Sequence, residues 1–170
     1  MENGTTADVA GSRVAVQAGE IMTAPVVTVR PDTSVREIAQ TLGRHRISAV
    51  PVVDDGGAVV GLVSEYDLIA RQGATARDVM TTAVVSVTET TSVDDVRHLL
   101  VERRIRRVPV ISGGSLVGII SRADVVAFLA TEWVCEVCGE SIRTETAPEI
   151  CPKCLSGSGR FALQEQPPGA

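Results

Sequence analysis

The sequence predicts an α/β (α+β) protein, with two β-α-β-β-α units forming one module and a small four-cysteine metal-ribbon domain behind them. Three observations carry that expectation. From residue 18 the chain repeats itself with a shift of 58 residues. Within each copy, short valine-rich runs alternate with segments of helical period. Near the C-terminus, two Cys-x-x-Cys pairs are separated by 12 residues.

Composition narrows the class. Apolar residues make up 44% of the 170 but aromatics only 2%, so the core must be built from Val, Ile, Leu and Ala, which favours buried strands. A net charge of −5 argues against a general binder of nucleic acid or anionic membranes. Nearly all the positive charge is arginine, with Lys153 the single lysine. The opening Met1-Glu2-Asn3-Gly4 has neither the basic start nor the apolar core of a signal peptide. No apolar run approaches the roughly 20 residues that span a bilayer. A cytoplasmic protein is expected, and there four cysteines are better explained as metal ligands than as disulfides.

Residues 1–16 are mostly small and lack periodicity, which reads as a disordered lead-in. The first unit, 17–73, and the second, 74–131, then match element by element. Ile21-Met22-Thr23 aligns with Val79-Met80-Thr81, and the apolar strand Val26 to Val29 with Val84 to Val87. Ser34 with Glu37 forms a capping box ahead of Val35, Ile38, Ala39 and Leu42 at helical spacing. Ser92, Asp95, Val93, Val96 and Leu100 repeat the design, and such apolar stripes suggest a homodimer. Val50-Pro51-Val52-Val53, a glycine turn and Val59 to Val63 form a hairpin, matched by a second one around Val108-Pro109-Val110. Helices follow at about Glu65 to Ala70 and Arg122 to Ala130. Each unit is too small to bury its apolar faces alone, so the two should pack sheet against sheet.

With those residues in hand, the pair 18–130 resembles two CBS domains in tandem, a Bateman module. The resemblance rests on Ile21-Met22-Thr23, on the two Val-Pro-Val strands, and on Gly61-x-x-Ser64-x-x-Asp67 with Gly118-x-x-Ser121-x-x-Asp124. After Thr131 the composition changes. Trp133, Cys135, Cys138-Gly139, Cys151-Pro152, Cys154 and Phe161 resemble a rubredoxin-like ribbon of the rubrerythrin type, assigned to 132–163. Leu155 departs from that pattern, standing where the second knuckle normally has glycine. A flexible tail, 164–170, closes the chain.

The chemistry is expected in two places. A single Ser-x-x-Asp is an ordinary helix N-cap pair. Here it follows a buried strand, occurs twice, and carries Asp rather than the longer Glu or Gln of a usual capping box. A helix N-terminus presents free N–H groups to phosphate, and an aspartate can accept two hydrogen bonds from a ribose diol. The CBS resemblance implies that Ser64, Asp67, Ser121 and Asp124 contact ribose and phosphate, while the backbone around Val50-Pro51 and Val108-Pro109 holds adenine. Arg106 and Arg107, in the densest cationic cluster of the chain, are read as phosphate clamps.

The second place is the set Cys135, Cys138, Cys151 and Cys154, whose spacing suits one tetrahedral ion, Zn2+ or iron. His45 and His98 are isolated, and no triad, P-loop or dinucleotide motif is present, so no enzyme is expected. The resulting expectation is a regulatory protein that senses AMP, ADP, ATP or another adenosyl ligand, acts through an unknown protein partner, and carries a structural ribbon. Electron transfer through iron is the alternative. A nucleic-acid-binding ribbon is disfavoured by six acidic against three basic residues from Thr131 onward.

Overall fold

The computed structural model describes residues 16–144 and 146–165. Expectations for 1–15 and 166–170 lie outside the described residues. The first repeat contains α1 (Ala18–Ile21), α2 (Val35–His45), β1 (Ala49–Val53), β2 (Val59–Ser64) and α3 (Glu65–Ala70). The second contains α4 (Ala76–Val79), β3 (Val87–Thr88), α5 (Val93–Glu102), β4 (Arg107–Ser112), β5 (Ser115–Ser121) and α6 (Arg122–Ala130). The ribbon is a sheet of β6 (Thr131–Cys135), β7 (Ser141–Ile142) and β8 (Phe161–Glu165) in the order β7-β6-β8.

Local chemistry starts the main helices. Ser34 Oγ accepts from Glu37 N while Glu37 Oε2 accepts from Ser34 N, and Ser92 Oγ accepts from Asp95 N. Each such cap contributes about 1 kcal/mol. Below the caps, Ile38 and Leu42 of α2 and Val93, Val96 and Leu100 of α5 are buried. The latter three therefore cannot form the exposed stripe from which a homodimer was expected. Among the described residues of the two repeats, the large apolar side chains that do face outward are Tyr66, Ile69, Val101, Val126 and Leu129.

The strands expected over Val26–Val29 and Val84–Val87 shrink to a bridge at Val29 and to the two residues of β3. The cause lies in the neighbouring strand. Val29 N donates to Pro51 O and Val53 N donates to Val29 O, in parallel register. The next rung would require an N–H from Pro51, which proline lacks. Pro109 sits one residue before Val110, the partner of Val87, and ends the second ladder in the same way.

Each repeat hands its first turn to the other. Ala18 and Ile21 of α1 are buried with Val87, Val96, Val108 and Ile120 of the second repeat. Ala76 and Val79 of α4 are buried with Val29, Ile38, Val50 and Val63 of the first. Backbone pairs seal the exchange, Thr23 with Ile119 and Leu62 with Thr81, in both directions. The repeats at 17–73 and 74–131 are thus periods of sequence, whereas each core takes residues from both. Val16, expected in the lead-in, accepts a bond from Val93 N. At the other end, β8 runs to Glu165, beyond the expected ribbon limit, because Thr131 and Glu165 pair across the sheet.

The exchange also explains the glycine of each Gly-x-x-Ser-x-x-Asp segment. A Cβ on Gly61 would lie 2.6 Å from Met80 Sδ, and one on Gly118 would overlap Met22 Sδ more severely. Gly118→Ala should therefore lower stability to chemical denaturation by about 1–3 kcal/mol, the usual cost of overpacking. Part of that loss should return in Gly118→Ala/Met22→Ala, measured as a double-mutant cycle.

Candidate ligand clefts and metal centre

The hairpin register places Ala49 beside Ser64 and Arg107 beside Ser121, so the residue before each Val-Pro step flanks the start of the following helix. Val50, Pro51, Val108 and Pro109 are all fully buried, so only their backbones can meet a ligand. In β1 the Pro51 carbonyl is already taken by Val29 N. Arg107 reaches across the pair and donates to Ser48 Oγ at 2.9 Å. Arg103, Arg104 and Arg106 are exposed. Among the described residues none of these four arginines forms an ion pair.

Both Ser-x-x-Asp pairs close capping boxes, and the shorter aspartate does so as well as a glutamate would. Ser64 N and Oγ donate to Asp67 Oδ2 at 2.8 and 2.6 Å, and Asp67 N returns a bond to Ser64 Oγ at 3.3 Å. Ser121 N and Oγ donate to Asp124 Oδ2, each at 2.6 Å, with Asp124 N returning at 3.4 Å. The remaining oxygens differ. Asp67 Oδ1 meets the Thr81 hydroxyl at 3.4 Å and the Arg71 guanidinium at 3.5 Å. Asp124 is half-buried and lines a cavity of about 100 Å³ with Ile21, Ala127, Phe128 and Thr131. Arg71 and Thr81 were not singled out from the sequence. The i,i+4 spacing of Asp67 and Arg71 was the available signal for the first.

In the ribbon, the four sulfurs of Cys135, Cys138, Cys151 and Cys154 lie within 4.8 Å of one another. The pairs Cys135–Cys154 and Cys138–Cys151 are each 3.6 Å apart. Tetrahedral Zn–S bonds of ~2.3 Å imply S···S edges of about 3.8 Å, so the residues fit one four-coordinate ion. Two tight turns build the set: Gly139 N donates to Cys135 O and Leu155 N to Cys151 O. Ser156, also missed in the sequence, lies 3.2 Å through its hydroxyl from both Cys135 Sγ and Cys154 Sγ.

These contacts separate the thiols electrostatically. Cys135 is drawn down to about 6, first by the Ser156 hydroxyl and then, against burial, by the Cys138 and Val137 N–H groups. The same serine lowers Cys154. At Cys138 the Glu140 N–H favours the thiolate, but burial and the three neighbouring sulfurs together push the thiol up to about 12. Uptake of a cation by this set therefore releases protons.

A CBS domain family model matches residues 18–73 and 76–131. A model of the rubrerythrin rubredoxin-like domain matches residues 133–162. The CBS domain-containing protein YhcV of Bacillus subtilis is 33% identical over 112 residues, spanning 62% of this chain and 79% of its own. The crystal structure of CBSX2 of Arabidopsis thaliana in complex with AMP superposes with a TM-score of 0.62 at 34% identity, covering 65% of this chain and 93% of that one. The CBS pair of protein MJ0100, in complex with 5-methylthioadenosine and S-adenosyl-L-methionine, gives a TM-score of 0.64 at 28% identity, covering 68% and 96%.

One knuckle carries strain. Leu155 has φ +60°, at the position where the first knuckle has Gly139 at φ +73°. A left-handed backbone costs a residue with a Cβ about 1–2 kcal/mol, and the Leu155 side chain is 75% exposed, so it recovers little by burial. Leu155→Gly should stabilise the ribbon by about 1 kcal/mol, read as a higher chelator concentration needed to strip the metal.

Proposed function

The chain belongs to the CBS-domain family and carries a C-terminal rubredoxin-like domain, and from that premise we propose a cytoplasmic regulatory protein that senses an adenosine-containing ligand. The observation that carries the proposal is the start of α6. There Asp124 uses one carboxylate oxygen to cap the helix and keeps Oδ1 without a donor among the described residues, and its side chain lines a cavity. Arg107 flanks the same helix start through its pairing with Ser121. A carboxylate for the ribose diol and a guanidinium for phosphate belong to the set of groups a nucleotide requires. The bound adenosine compounds of CBSX2 and MJ0100 support the choice of ligand class.

The cavity of about 100 Å³ is well below the roughly 300 Å³ or more of a ligand pocket. Binding must therefore move α6 or the exchanged first turn, and this supplies the mechanism of sensing. A ligand that prefers the widened arrangement shifts the population toward it. The exposed side chains Tyr66, Ile69, Val126 and Leu129 offer a surface through which a second copy or a regulated protein would feel that shift.

The ribbon has a structural role in this reading. Cys135, Cys138, Cys151 and Cys154 would hold Zn2+, which supplies folding free energy and no redox chemistry. The supporting observation is the scarcity of core: among the described ribbon residues the buried ones are Cys135 and Cys151. Burial cannot stabilise so small a segment, whereas four thiolates around zinc contribute on the order of 10–16 kcal/mol in zinc-finger peptides. Iron and electron transfer form the second reading, favoured by the match to a rubredoxin-like domain.

Two outcomes test these assignments. Asp124→Ala should weaken binding of AMP, ATP or S-adenosylmethionine by about 1.5–3 kcal/mol in titration calorimetry; wild-type protein that binds no adenosine compound at millimolar concentration, to order of magnitude, would refute the ligand class. Protein purified without added metal should contain near-stoichiometric zinc, and Cys151→Ser should render the ribbon protease-sensitive while the CBS pair stays folded. Stoichiometric iron with a reversible one-electron couple would transfer the assignment to electron transfer.

A further inference from the structure

The two clefts, related by the repeat, are built with different residues at one decisive position. Four residues after Asp67 stands Arg71, and four residues after Asp124 stands Phe128. Arg71 caps α3 and turns its guanidinium back over the start of the second repeat. Its Nη1 donates to Val79 O at 2.9 Å and to Met80 O at 2.7 Å, and its Nη2 donates to Thr81 Oγ1 at 3.2 Å. The same Nη2 lies 3.5 Å from Asp67 Oδ1, which also receives the Thr81 hydroxyl at 3.4 Å. Both oxygens of Asp67 are thereby engaged, and the residue is only 6% exposed.

In the second cleft the corresponding backbone is Ile21-Met22-Thr23, and phenylalanine has no donor to offer those carbonyls. The space beside Phe128 is instead the cavity onto which Asp124 opens. In one cleft a guanidinium bonds to the entry segment, and in the other Phe128 lines a cavity beside Asp124.

We propose that Arg71 holds the Asp67 cleft shut, so that each chain takes up one adenosine ligand, at Asp124. The inference rests on the reading of the clefts as adenosine sites and adds which of them is competent and which residue decides it. A ligand entering the first cleft would have to displace a charge-assisted contact to Asp67 and three further hydrogen bonds to Val79, Met80 and Thr81. At Asp124 it displaces none of these.

The test is titration calorimetry of the full chain with AMP as probe. Wild-type protein should bind one AMP per chain. Asp124→Ala should lose about tenfold or more in affinity. Arg71→Phe, which installs the residue of the second cleft, should raise the stoichiometry toward two, a gain that mere damage to the fold could not produce. Should that variant not fold, Phe128→Arg provides the converse, an expected loss of the wild-type binding. Two equivalent sites in the wild type, or loss of binding in Asp67→Ala with retention in Asp124→Ala, would overturn the inference while leaving the adenosine reading intact. Absence of AMP binding in wild type and every variant would instead remove the adenosine reading, and the inference with it.

Discussion

The burial of α1 against the second repeat, and of α4 against the first, is the contact on which the rest of the CBS pair depends. A unit of this size buries too small a fraction of its surface to be more than marginally stable alone. By trading Ala18 and Ile21 for Ala76 and Val79, each repeat completes a core that it could not fill from its own residues. The trade fixes the relative position of the repeats, since the Thr23–Ile119 and Leu62–Thr81 backbone pairs join strand β5 or β2 of one repeat to the entry segment of the other. Even the glycines preceding the Ser-x-x-Asp segments answer to it, because Met80 and Met22 occupy the room a Cβ would need.

That same packing brings the clefts into being. The exchanged entry segments run past the starts of α3 and α6, so Thr81 meets the capping-box aspartate Asp67 and Ile21 lines the cavity with Asp124. Capping and ligand recognition then share one carboxylate. The cap uses Oδ2 in both repeats, which leaves Oδ1 to decide what the cleft does. In the first repeat an internal cation and a hydroxyl claim it; in the second it has no donor among the described residues, and Asp124 lines a cavity. Two side-chain differences, arginine against phenylalanine at 71 and 128 and alanine against arginine at 49 and 107, distinguish sites that share a backbone plan.

The ribbon obeys a different physics. Its sheet pairs β6 with both neighbours, yet it buries few large side chains, and in the proposed reading a metal held by the four sulfurs would supply the folding free energy that a core supplies elsewhere. Turns that aim N–H groups and the Ser156 hydroxyl at the sulfurs stabilise negative charge there. Leu155 accepts a left-handed backbone to keep its turn. The match to a rubredoxin-like domain, over residues 133–162, spans these turns and the four sulfurs.

Much of this was legible in the sequence because it is local or periodic. The repeat, the Ser34 and Ser92 caps, the spans of α3 and α6, and the gathering of Cys135, Cys138, Cys151 and Cys154 all follow from spacing, and spacing is what helix geometry and metal coordination read. The shortened strands were in principle legible too, since Pro51 and Pro109 cannot donate to a neighbour. Which core received α1, why Val93, Val96 and Leu100 are interior rather than exposed, and why Asp67 and Asp124 differ could be decided only by the tertiary structure. Those outcomes depend on contacts between residues tens of positions apart, such as Met22 with Gly118 or Arg107 with Ser48. A repeat in sequence sets the same local preferences twice; it is the packing of one copy on the other that makes their two clefts unequal.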